Sequence, residues 1–287
     1  MNNKQDIIAV TGSSGFVGQR LIAYLKKIGL NYIEIDYKNG YDLKNWESCK
    51  KIEKFNIMVH LAANTFVPDS YLHANEYYEN NIASTLNALE LCKLYKSKMI
   101  FASSYVYGHP KYLPIDESHP LEHFNPYASS KIICERLCED FHNFFNLKVI
   151  ILRIFNIFGK GQSELFLISK IFSQALKGKI TLNDPEPRRD YLYIDDVIEA
   201  YVSSILYNPE YFEVFNIASG KSYSVRQVVE LISKVLNSYP TVEYTGERRN
   251  NEVNDTLANI AKARNKLHWE PKNSLEEGLN KMILQKG

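Results

Sequence analysis

A glycine-rich turn near the start of the chain constrains its fold more strongly than any other feature. Residues 7–10 form a short apolar run, Ile-Ile-Ala-Val, whose length suits a buried strand and is too short for a helix. Three glycines follow in the spacing G-x-x-G-x-x-G, from Gly12 to Gly18, and residues 19–27 then carry apolar side chains at helical spacing. Because glycines let the backbone approach a phosphate at a helix N-terminus, this order predicts a dinucleotide-binding unit.

The acid at the end of the second predicted strand bears on the choice of cofactor. Residues 31–36 indicate a strand that ends in Asp36, 18 residues after Gly18. An acid near this distance accepts hydrogen bonds from the adenosine ribose and disfavours a 2′-phosphate, so it favours NAD. Lys38 could still bind such a phosphate, which keeps NADP as an alternative. A plain tight turn and a solvent-exposed strand end are the structural alternatives for the two motifs.

Strands and helices alternate through the first half of the chain. Apolar runs predict strands at 57–63, 98–103 and 149–155, and periodicity predicts helices at 77–95 and 126–145. The predicted fold class is therefore α/β: a Rossmann-type parallel sheet with helices on both faces. Such sheets bind ligands outside the carboxyl ends of their strands. Four residues lie at predicted carboxyl ends: Gly12, Ala63, Ser103 and Asn156.

The regular alternation loosens after about residue 160, where polar and proline-bearing stretches separate short helices. We predict a dinucleotide-binding domain over residues 1–160 that carries the catalytic residues. A smaller C-terminal lobe over residues 161–287 would bind mainly the substrate, with segments at about 190–220 returning to the first domain. Within the helix at 77–95, four apolar side chains are expected to point mostly inward: Ile82, Leu86, Leu89 and Leu94.

Composition restricts the class of partner. The 287-residue chain has 34 Lys and Arg against 33 Asp and Glu, so it has no basic excess that would indicate nucleic-acid binding. No signal-peptide pattern and no apolar run of membrane-spanning length occurs, which predicts a cytoplasmic protein without a membrane partner. The four cysteines form neither a metal-ligand nor a redox motif, so we expect buried thiols and no metal site.

A tyrosine, a lysine and a serine form a candidate catalytic set. Tyr127 and Lys131 are four residues apart, which places them one turn apart on one helix face. The lysine ammonium would favour the phenolate and lower the tyrosine pKa from about 10. Ser103, at a predicted strand end, could hold the same substrate oxygen. Beside a hydride acceptor, such a set could exchange a proton with a hydroxyl or a carbonyl.

These motifs together resemble those of the extended short-chain dehydrogenases/reductases, in particular the NAD-dependent epimerase/dehydratase family that acts on nucleotide sugars. The resemblance covers nearly the full length and depends on the order and spacing of several short motifs. They are Thr-Gly-x-x-Gly-Phe-x-Gly at 11–18, His60-Leu-Ala-Ala63, Asn80-Asn81, Ser103 with Val-Tyr-Gly108, Tyr127-x-x-x-Lys131, Arg-Ile-Phe-Asn156, Arg189-Asp190-Tyr191, Arg248-Arg249-Asn-Asn-Glu252 and Leu-His-Trp269-x-Pro271.

The resemblance implies a role for each matching residue. Tyr127 would be the general acid/base, Lys131 would bind the nicotinamide ribose and Ser103 would orient the reacting oxygen. The cofactor site would comprise Gly12, Ser14, Gly15, Phe16, Val17, Gly18, Asp36, Lys38, Asp42, Leu43, Leu61, Ala62, Ala63, Asn81, Tyr127 and Lys131, of which Asp42 and Leu43 would flank the adenine. The substrate site would comprise Ser104, Tyr105, Asn156, Arg189, Arg249 and Glu252, with the two arginines holding the diphosphate through bidentate hydrogen bonds.

Two departures from the family pattern narrow the reaction. Dehydratases of the family have Thr-Asp-Glu where this chain has Ser103-Ser104-Tyr105, so dehydration is not expected. Only five residues separate Asp36 from Asp42, which resembles the reductases of 4-keto-6-deoxy sugars, whereas Asp36 itself resembles epimerases that retain NAD. We therefore predict NAD(P)-dependent hydride transfer at a ring carbon, with C4 favoured, and lean to a 4-ketoreductase or 4-dehydrogenase. The alternatives are a C4 epimerase and a cofactor-binding protein without catalysis.

Further expectations concern structure and assembly. His60 is expected to be structural, beneath the cofactor, and Asn81 to bond the backbone rather than to catalyse. The segments 66–71 and 162–168 are candidates for lining the substrate site. Members of the family often pair through two helices per subunit, which implies a homodimer here, although core packing explains the apolar residues of these helices equally well.

Overall fold

A computed structural model of the protein describes residues 6–248 and 251–284. The strands, in chain order, are β1 (Ile7–Thr11), β2 (Asn31–Ile35), β3 (Ile57–His60), β4 (Lys98–Ser104), β5 (Val149–Ile154), β6 (Asn156–Phe158), β7 (Lys179–Leu182), β8 (Arg188–Tyr193), β9 (Glu213–Ile217), β10 (Ser222–Ser224) and β11 (Thr241–Tyr244). The α-helices are α1 (Phe16–Lys27), α2 (Trp46–Cys49), α3 (Val67–Leu72), α4 (Ala74–Tyr95), α5 (Pro126–Phe145), α6 (Leu167–Leu176), α7 (Ile194–Leu206), α8 (Val225–Leu236) and α9 (Leu275–Leu284).

Six parallel strands form the central sheet in the order β2-β1-β3-β4-β5-β9. β3 and β5 are buried along their whole length because helices cover both faces of the sheet. The chain passes from β1 to one neighbour, β2, and then to the other, β3, so the strand order reverses at β1 and β3. The crevice at the carboxyl ends of these two strands is where a sheet of this type binds its ligand.

The edge strand β9 shows that the second half of the chain contributes to the central sheet. It pairs with β5 from Ile150 opposite Glu213 to Ile154 opposite Ile217. Helix α7, which precedes it, packs against α1. Residues 194–206 and 213–217 therefore pack against the first half of the chain, while the division into two domains, with its boundary at residue 160, stays a prediction.

The remaining strands form two small sheets, one with the order β10-β8-β6 and one that pairs β11 with β7. Asp190 of β8 forms hydrogen bonds that connect separate segments of this part of the chain. Its carboxylate accepts hydrogen bonds from Ser219 N at 2.7 Å, Gly220 N at 2.9 Å and Ala258 N at 3.3 Å. Burial raises the pKa of Asp190 to about 6 although these bonds lower it, so the carboxylate is ionised at neutral pH.

The start of α5 places the predicted catalytic tyrosine. Asn125 is the N-cap, and its Oδ1 accepts a hydrogen bond from Ala128 N at 2.8 Å. Pro126 occupies the first helical position, where its missing N–H costs nothing. Tyr127 is therefore held in the first turn of the helix, and Lys131 follows one turn later on the face that packs against β4.

Helix α4 buries a different stripe from the one predicted. Leu89 is buried as expected and Ile82 is partly buried, but Leu86 and Leu94 are exposed. The buried face instead carries mainly small and polar residues, among them Asn81, Ser84, Thr85, Ala88 and Cys92. These small side chains let α4 pack closely against α5, so periodicity of the large apolar residues was the wrong guide.

One further sequence prediction can be compared with the described residues. All four cysteines are buried free thiols, as predicted. Across residues 6–248 and 251–284, no helix combines the length and the apolar character that crossing a membrane requires. Within the same residues, no group of three or more His, Cys, Asp or Glu side chains could hold a metal ion.

Candidate active site

At positions 12 and 18, the turn between β1 and α1 has room for glycine only. Gly12 has φ +65°, and a Cβ there would lie 2.9 Å from Ala62 N. A Cβ on Gly18 would lie 2.2 Å from the carbonyl oxygen of Gly12. Gly15 caps α1 without a side-chain hydrogen bond, and the first turn of α1 carries no acid. The free N–H groups and the helix dipole therefore suit an anionic group such as a pyrophosphate.

Asp36 lies against this turn. Its Oδ2 accepts a hydrogen bond from Ser14 N at 3.1 Å, and its Oδ1 accepts one from Lys38 N at 3.0 Å. Partial burial raises the pKa of Asp36, but the bonds from Lys38 and Ser14 outweigh it and hold the pKa below its ordinary value. The carboxylate is thus ionised and placed beside the turn, which suits an unphosphorylated ribose better than a 2′-phosphate.

A buried histidine supports the same region from below. His60 Nδ1 lies 2.8 Å from Thr11 Oγ1, and its Nε2 lies 3.2 Å from Thr85 Oγ1. Thr11 Oγ1 also accepts hydrogen bonds from Leu61 N at 3.0 Å and Ala62 N at 3.2 Å. Burial, with a smaller contribution from the Lys131 charge, lowers the pKa of His60 to about 3, so the ring is neutral. The network holds residues 61–62 against the glycine turn, a structural role.

A cavity of about 2030 Å³ runs from the glycine turn to the small sheets. This volume exceeds that of an ordinary single-ligand pocket, so a dinucleotide and a second ligand have room together. The predicted segments 66–71 and 162–168 both contribute to its wall. Among the predicted site residues, the cavity is lined by Gly12, Ser14, Gly15, Phe16, Val17, Gly18, Leu61, Ala63, Ser103, Ser104, Tyr105, Tyr127, Lys131, Asn156, Arg189 and Glu252.

Tyr127 and Lys131 both face this cavity, but the lysine does not act on the phenol as predicted. Lys131 Nζ donates a hydrogen bond to Ala102 O at 2.7 Å and lies 4.8 Å from the centre of the Phe101 ring. Burial raises the pKa of Tyr127 to about 12, against the opposing effect of the Ser104 hydroxyl. The expectation of a lowered tyrosine pKa is therefore wrong for the protein alone, because burial outweighs the charge of an ammonium engaged elsewhere. The phenol is protonated at neutral pH.

The two serines at the end of β4 differ from the sequence-based assignment. Ser103 Oγ donates a hydrogen bond to Glu135 Oε1 at 2.5 Å, and Arg153 Nη2 donates to Glu135 Oε2 at 2.7 Å. Ser103 is thus bonded to a buried ion pair, although it still contributes to the cavity wall. The Ser104 hydroxyl, which was expected to contact substrate, is the one that influences the Tyr127 phenol.

The far end of the cavity contains the predicted diphosphate-binding residues. Arg189 Nη1 donates to Val253 O at 2.6 Å, and its Nη2 forms an ion pair with Glu252. Asn156 Nδ2 lies 3.4 Å from Asp190 O. The guanidinium is therefore already oriented, with Glu252 as its anionic partner in place of a ligand.

The remaining predicted substrate residues include Tyr105, which lies in the cavity wall, and Arg249. Tyr105 OH donates to Gly108 O at 2.6 Å, and burial raises the pKa of this phenol, so it is a neutral wall residue. Arg249 lies outside the described residues.

Six predicted cofactor residues do not line the cavity. Asn81 is buried behind it, with its amide bonded to Asn64 and Ser130, so a direct cofactor contact is not what the structure shows. Leu43 is buried in the core and its carbonyl accepts a hydrogen bond from Asn87 at 2.8 Å. For the other four, cofactor contact stays a prediction: Asp36, Lys38, Asp42 and Ala62.

Sequence reasoning missed the ion pair behind the serines. Glu135 and Arg153 are both buried, and Arg153 also donates to Tyr107 OH at 3.1 Å. A signal for it exists in the sequence: Arg153 interrupts an otherwise apolar strand, and a buried arginine requires an anionic partner. The acid that supplies it, Glu135, lies one turn after Lys131 on the same helix.

Comparison with known proteins identifies the family. The model of the family described as NAD dependent epimerase/dehydratase matches residues 8–218. The chain belongs to this family. A putative UDP-glucose 4-epimerase of Methanocaldococcus jannaschii is 29% identical over 303 residues, which cover 96% of this chain and 97% of that protein. A GDP-6-deoxy-D-mannose reductase of Pseudomonas aeruginosa is 29% identical over 292 residues, which cover 96% and 95% of the two chains.

A solved structure agrees with this assignment. RMD from Pseudomonas aeruginosa, complexed with NADPH, superposes with a TM-score of 0.90 and 27% identity and covers 98% of each chain. The predicted family and α/β fold class are confirmed, as is the prediction of an NAD(P)-dependent enzyme that transfers hydride on nucleotide sugars. The assignment of roles to individual residues stays a prediction.

Proposed function

We propose that the enzyme reduces a ketone at C4 of a nucleotide-activated hexose. The observation that carries the proposal is the shared cavity: Tyr127 and Lys131 face the same space as the uncapped N-terminus of α1. A reduced nicotinamide dinucleotide bound there would supply hydride. Tyr127 would give its proton to the oxygen on C4, and Lys131, anchored by Ala102 O, would hold the nicotinamide ribose.

The ionisation of Tyr127 supports the reducing direction. A general acid must carry its proton before the reaction, whereas a general base for oxidation must have lost it. Because the pKa of Tyr127 is raised to about 12, the phenol carries its proton at neutral pH. The protein alone is therefore ready to donate a proton to a ketone, and an oxidation would first require a group that stabilises the phenolate.

The short connection after β2 also supports a reductase. The 3₁₀ turn Tyr37–Asn39 and the bond from Tyr41 N to Asp36 O at 3.1 Å bring the chain directly to Asp42. The reductase of Pseudomonas aeruginosa aligns over 292 residues and the epimerase of Methanocaldococcus jannaschii over 303, at equal coverage of this chain. The reductase alignment thus needs fewer insertions.

The wall near Tyr127 supports a 6-deoxy sugar as substrate. Aromatic rings contribute to the cavity wall: Phe124 lies 6.1 Å and Phe155 lies 5.3 Å from Tyr105, between ring centres. A methyl group at C5 would pack against such rings and bury apolar surface. The diphosphate would lie near Arg189 and Asn156, with Arg249 as a further candidate from the sequence.

Asp36 favours NAD(H) as cofactor and also supports a second candidate function, that of a C4 epimerase. Its ionised carboxylate beside Ser14 would repel the 2′-phosphate of NADPH, the cofactor complexed with RMD from Pseudomonas aeruginosa. A C4 epimerase retains NAD and uses it in both directions, so the carboxylate is the observation that supports this alternative. The epimerase would oxidise the sugar at C4 and return the hydride to the opposite face.

We further propose a cytoplasmic homodimer that acts in carbohydrate biosynthesis. Leu86 and Leu94 on α4 and Phe144 and Phe145 on α5 are exposed, and these two helices pack side by side. A second copy could cover them, as in other members of the family. Light scattering on the purified protein tests this, and a monomer at micromolar concentration would contradict it.

Two separate assays test the proposed reaction. The enzyme is mixed with a nucleotide 4-keto-6-deoxyhexose and with NADH or NADPH, and the absorbance at about 340 nm is followed. A reductase oxidises one equivalent of cofactor for each sugar reduced. In the second assay, UDP-glucose is incubated without added cofactor and the products are separated by chromatography. Appearance of a C4 epimer there, with no cofactor consumption in the first assay, would replace the reductase by the epimerase.

Tyr127→Phe distinguishes either enzyme from a protein that only binds cofactor. Removal of the phenol should lower kcat by about 10²–10⁴-fold because the proton donor is lost, while NADH affinity is retained. Tyr95→Phe is the matched control, since the Tyr95 phenol bonds Ile52 O at 2.7 Å, away from the cavity. Equal turnover in the two variants would remove Tyr127 from the mechanism.

A further inference from the structure

Two phenylalanine rings from separate segments contact each other at the cavity wall. Phe66 is the N-cap residue of α3, Phe166 is the N-cap residue of α6, and both line the cavity. Their ring centres are 5.9 Å apart and their planes are inclined by 73°, which is an edge-to-face contact. Helix α3 packs against α4 and α5, whereas α6 packs against β7 and α8. The two rings therefore connect walls of the cavity that different elements support.

Each of the two rings extends from a backbone that is fixed by the helix it begins. Phe66 O accepts a hydrogen bond from Ser70 N at 3.3 Å, and Phe166 O accepts one from Lys170 N at 2.9 Å. Both phenylalanines are only partly buried, so their side chains can turn between rotamers while the helices stay in place. An aromatic pair of this kind favours the contact by only about two- to tenfold. The contact can therefore open to let a ligand pass and then close again.

A buried tyrosine connects this contact to the proposed general acid. The Tyr77 hydroxyl donates a hydrogen bond to Phe66 O at 2.7 Å and lies 3.3 Å from Asp69 Oδ2. Its ring meets the Tyr127 ring edge to face, with the ring centres 6.5 Å apart and the planes inclined by 82°. One side chain of α4 thus touches both the backbone that carries the Phe66 ring and the ring of the proposed acid.

We propose that the Phe66–Phe166 contact is a gate over the reacting sugar, and that Tyr77 is the positioning residue that couples closure of this gate to Tyr127. The inference rests on the proposed role of Tyr127 as proton donor. The closed gate excludes water from the ketone, and opening lets the substrate enter and the product leave. When the gate is closed, Phe66 O holds the Tyr77 hydroxyl, and the edge of the Tyr77 ring fixes the orientation of the Tyr127 ring.

The hydroxyl of Tyr77 distinguishes this role from ordinary packing. A phenylalanine at position 77 would keep a ring beside Tyr127 and would lose only the bond to Phe66 O. Tyr95, at the other end of α4, donates a hydrogen bond of the same length, 2.7 Å, to Ile52 O, away from the cavity. Tyr77→Phe and Tyr95→Phe therefore remove the same kind of bond from the same helix, and only the first should affect Tyr127.

A spectroscopic probe at position 127 tests the coupling without any substrate. A fluorinated tyrosine is placed there, and its ¹⁹F resonance is recorded with NAD present. Phe166→Ala should displace this resonance although Phe166 is linked to the probe only through Phe66 and Tyr77. In the Tyr77→Phe background, Phe166→Ala should cause no further displacement, because the link is already broken. Phe166→Tyr, which keeps the ring, should restore the natural position, and Tyr95→Phe should leave it unchanged.

Four results would overturn the proposal. If Phe166→Ala leaves the resonance in place, the gate is not coupled to Tyr127. If it displaces the resonance equally with and without the Tyr77 hydroxyl, Tyr77 is not the link. If Phe166→Tyr does not restore the position, contact between the rings is not the cause. If Tyr95→Phe acts as Tyr77→Phe does, the effect is a general loosening of α4.

Steady-state kinetics give a second readout on a nucleotide 4-keto-6-deoxyhexose. Tyr77→Phe and Phe166→Ala should each lower kcat by about two- to tenfold, and Tyr77→Phe should leave KM nearly unchanged. The double variant should lose no more than the more affected single variant, whereas losses that multiply would show that the two residues act independently. Because the ¹⁹F measurement needs no turnover, failure of the proposed reduction and failure of the gate are separate outcomes.

Discussion

The two ends of the cavity are built in different ways. The end that we propose for the cofactor consists of backbone: a turn in which Gly12 and Gly18 contact each other, and the uncapped N-terminus of α1. The end that we propose for the substrate consists of side chains from distant segments, such as Arg189, which bonds Glu252 and Val253 more than 60 residues along the chain. The first depends on the absence of side chains and the second on their charge. We therefore expect one added carbon atom to abolish binding at the first end, whereas the loss of one charge should only weaken binding at the second.

The largest effect is expected from Gly18→Ala. The new Cβ would lie 2.2 Å from Gly12 O, a backbone atom that cannot move without opening the turn. We expect NADH affinity to fall by at least about 100-fold, because the N–H groups that we propose for the pyrophosphate would be displaced. Calorimetry measures the affinity, and urea unfolding separates loss of the site from loss of the fold. Binding at the level of the natural protein would show that the turn can relax.

Acid should weaken the support beneath the cofactor end. His60 is neutral when folded, with a pKa of about 3, while an unfolded histidine has a pKa of about 6.5. The unfolded state therefore binds a proton first, and the stability that His60 contributes is present above pH 6.5 and lost as the pH falls towards 3. Between pH 7 and about 4.5 this amounts to a loss of about 2–3 kcal/mol in the free energy of unfolding.

A comparison of variants isolates this contribution. Urea unfolding of the natural protein and of His60→Gln at both pH values cancels the contribution of other titrating groups, among them Asp190. The natural protein should lose about 2–3 kcal/mol more on acidification than His60→Gln does. Equal losses would mean that the ring accepts a proton without disturbing Thr11 and Thr85.

The same contrast explains what the sequence predicted well and what it did not. The positions of the glycine turn and of Asp36, and the shared helix face of Tyr127 and Lys131, follow from spacing within one element or two neighbouring ones, so local patterns were sufficient to predict where these residues lie. The states of Ser103 and Tyr127 depend on Glu135, Arg153 and burial by other elements. No local pattern contains that information. A family motif thus predicts which residues meet more reliably than it predicts their protonation and bonding.

At the substrate end, Arg189→Ala should act on affinity for the sugar nucleotide. Loss of charge-assisted hydrogen bonds of roughly 1.5–3 kcal/mol should raise KM by about 10–100-fold, with NADH affinity unchanged. Arg188→Ala is the matched control, because Arg188 bonds Ser222 and does not line the cavity. If both variants raise KM equally, Arg189 acts through the fold rather than through the diphosphate, and the contrast between the two ends becomes weaker.

Asp36→Ala should give the smallest effect and would refine the comparison, since Asp36 is a side chain that serves the backbone-built end. The carboxylate bonds Ser14 N and Lys38 N and would repel a 2′-phosphate. Its removal should change the ratio of NADPH to NADH affinity by about tenfold in favour of NADPH, because one like-charge repulsion and the proposed bond to the NADH ribose would both be lost. Lys38→Ala retains the carboxylate and should not shift the ratio towards NADPH. If Asp36→Ala leaves this ratio of affinities unchanged, the backbone alone selects the cofactor. The proposed cofactor end would then contain no side chain that determines cofactor specificity.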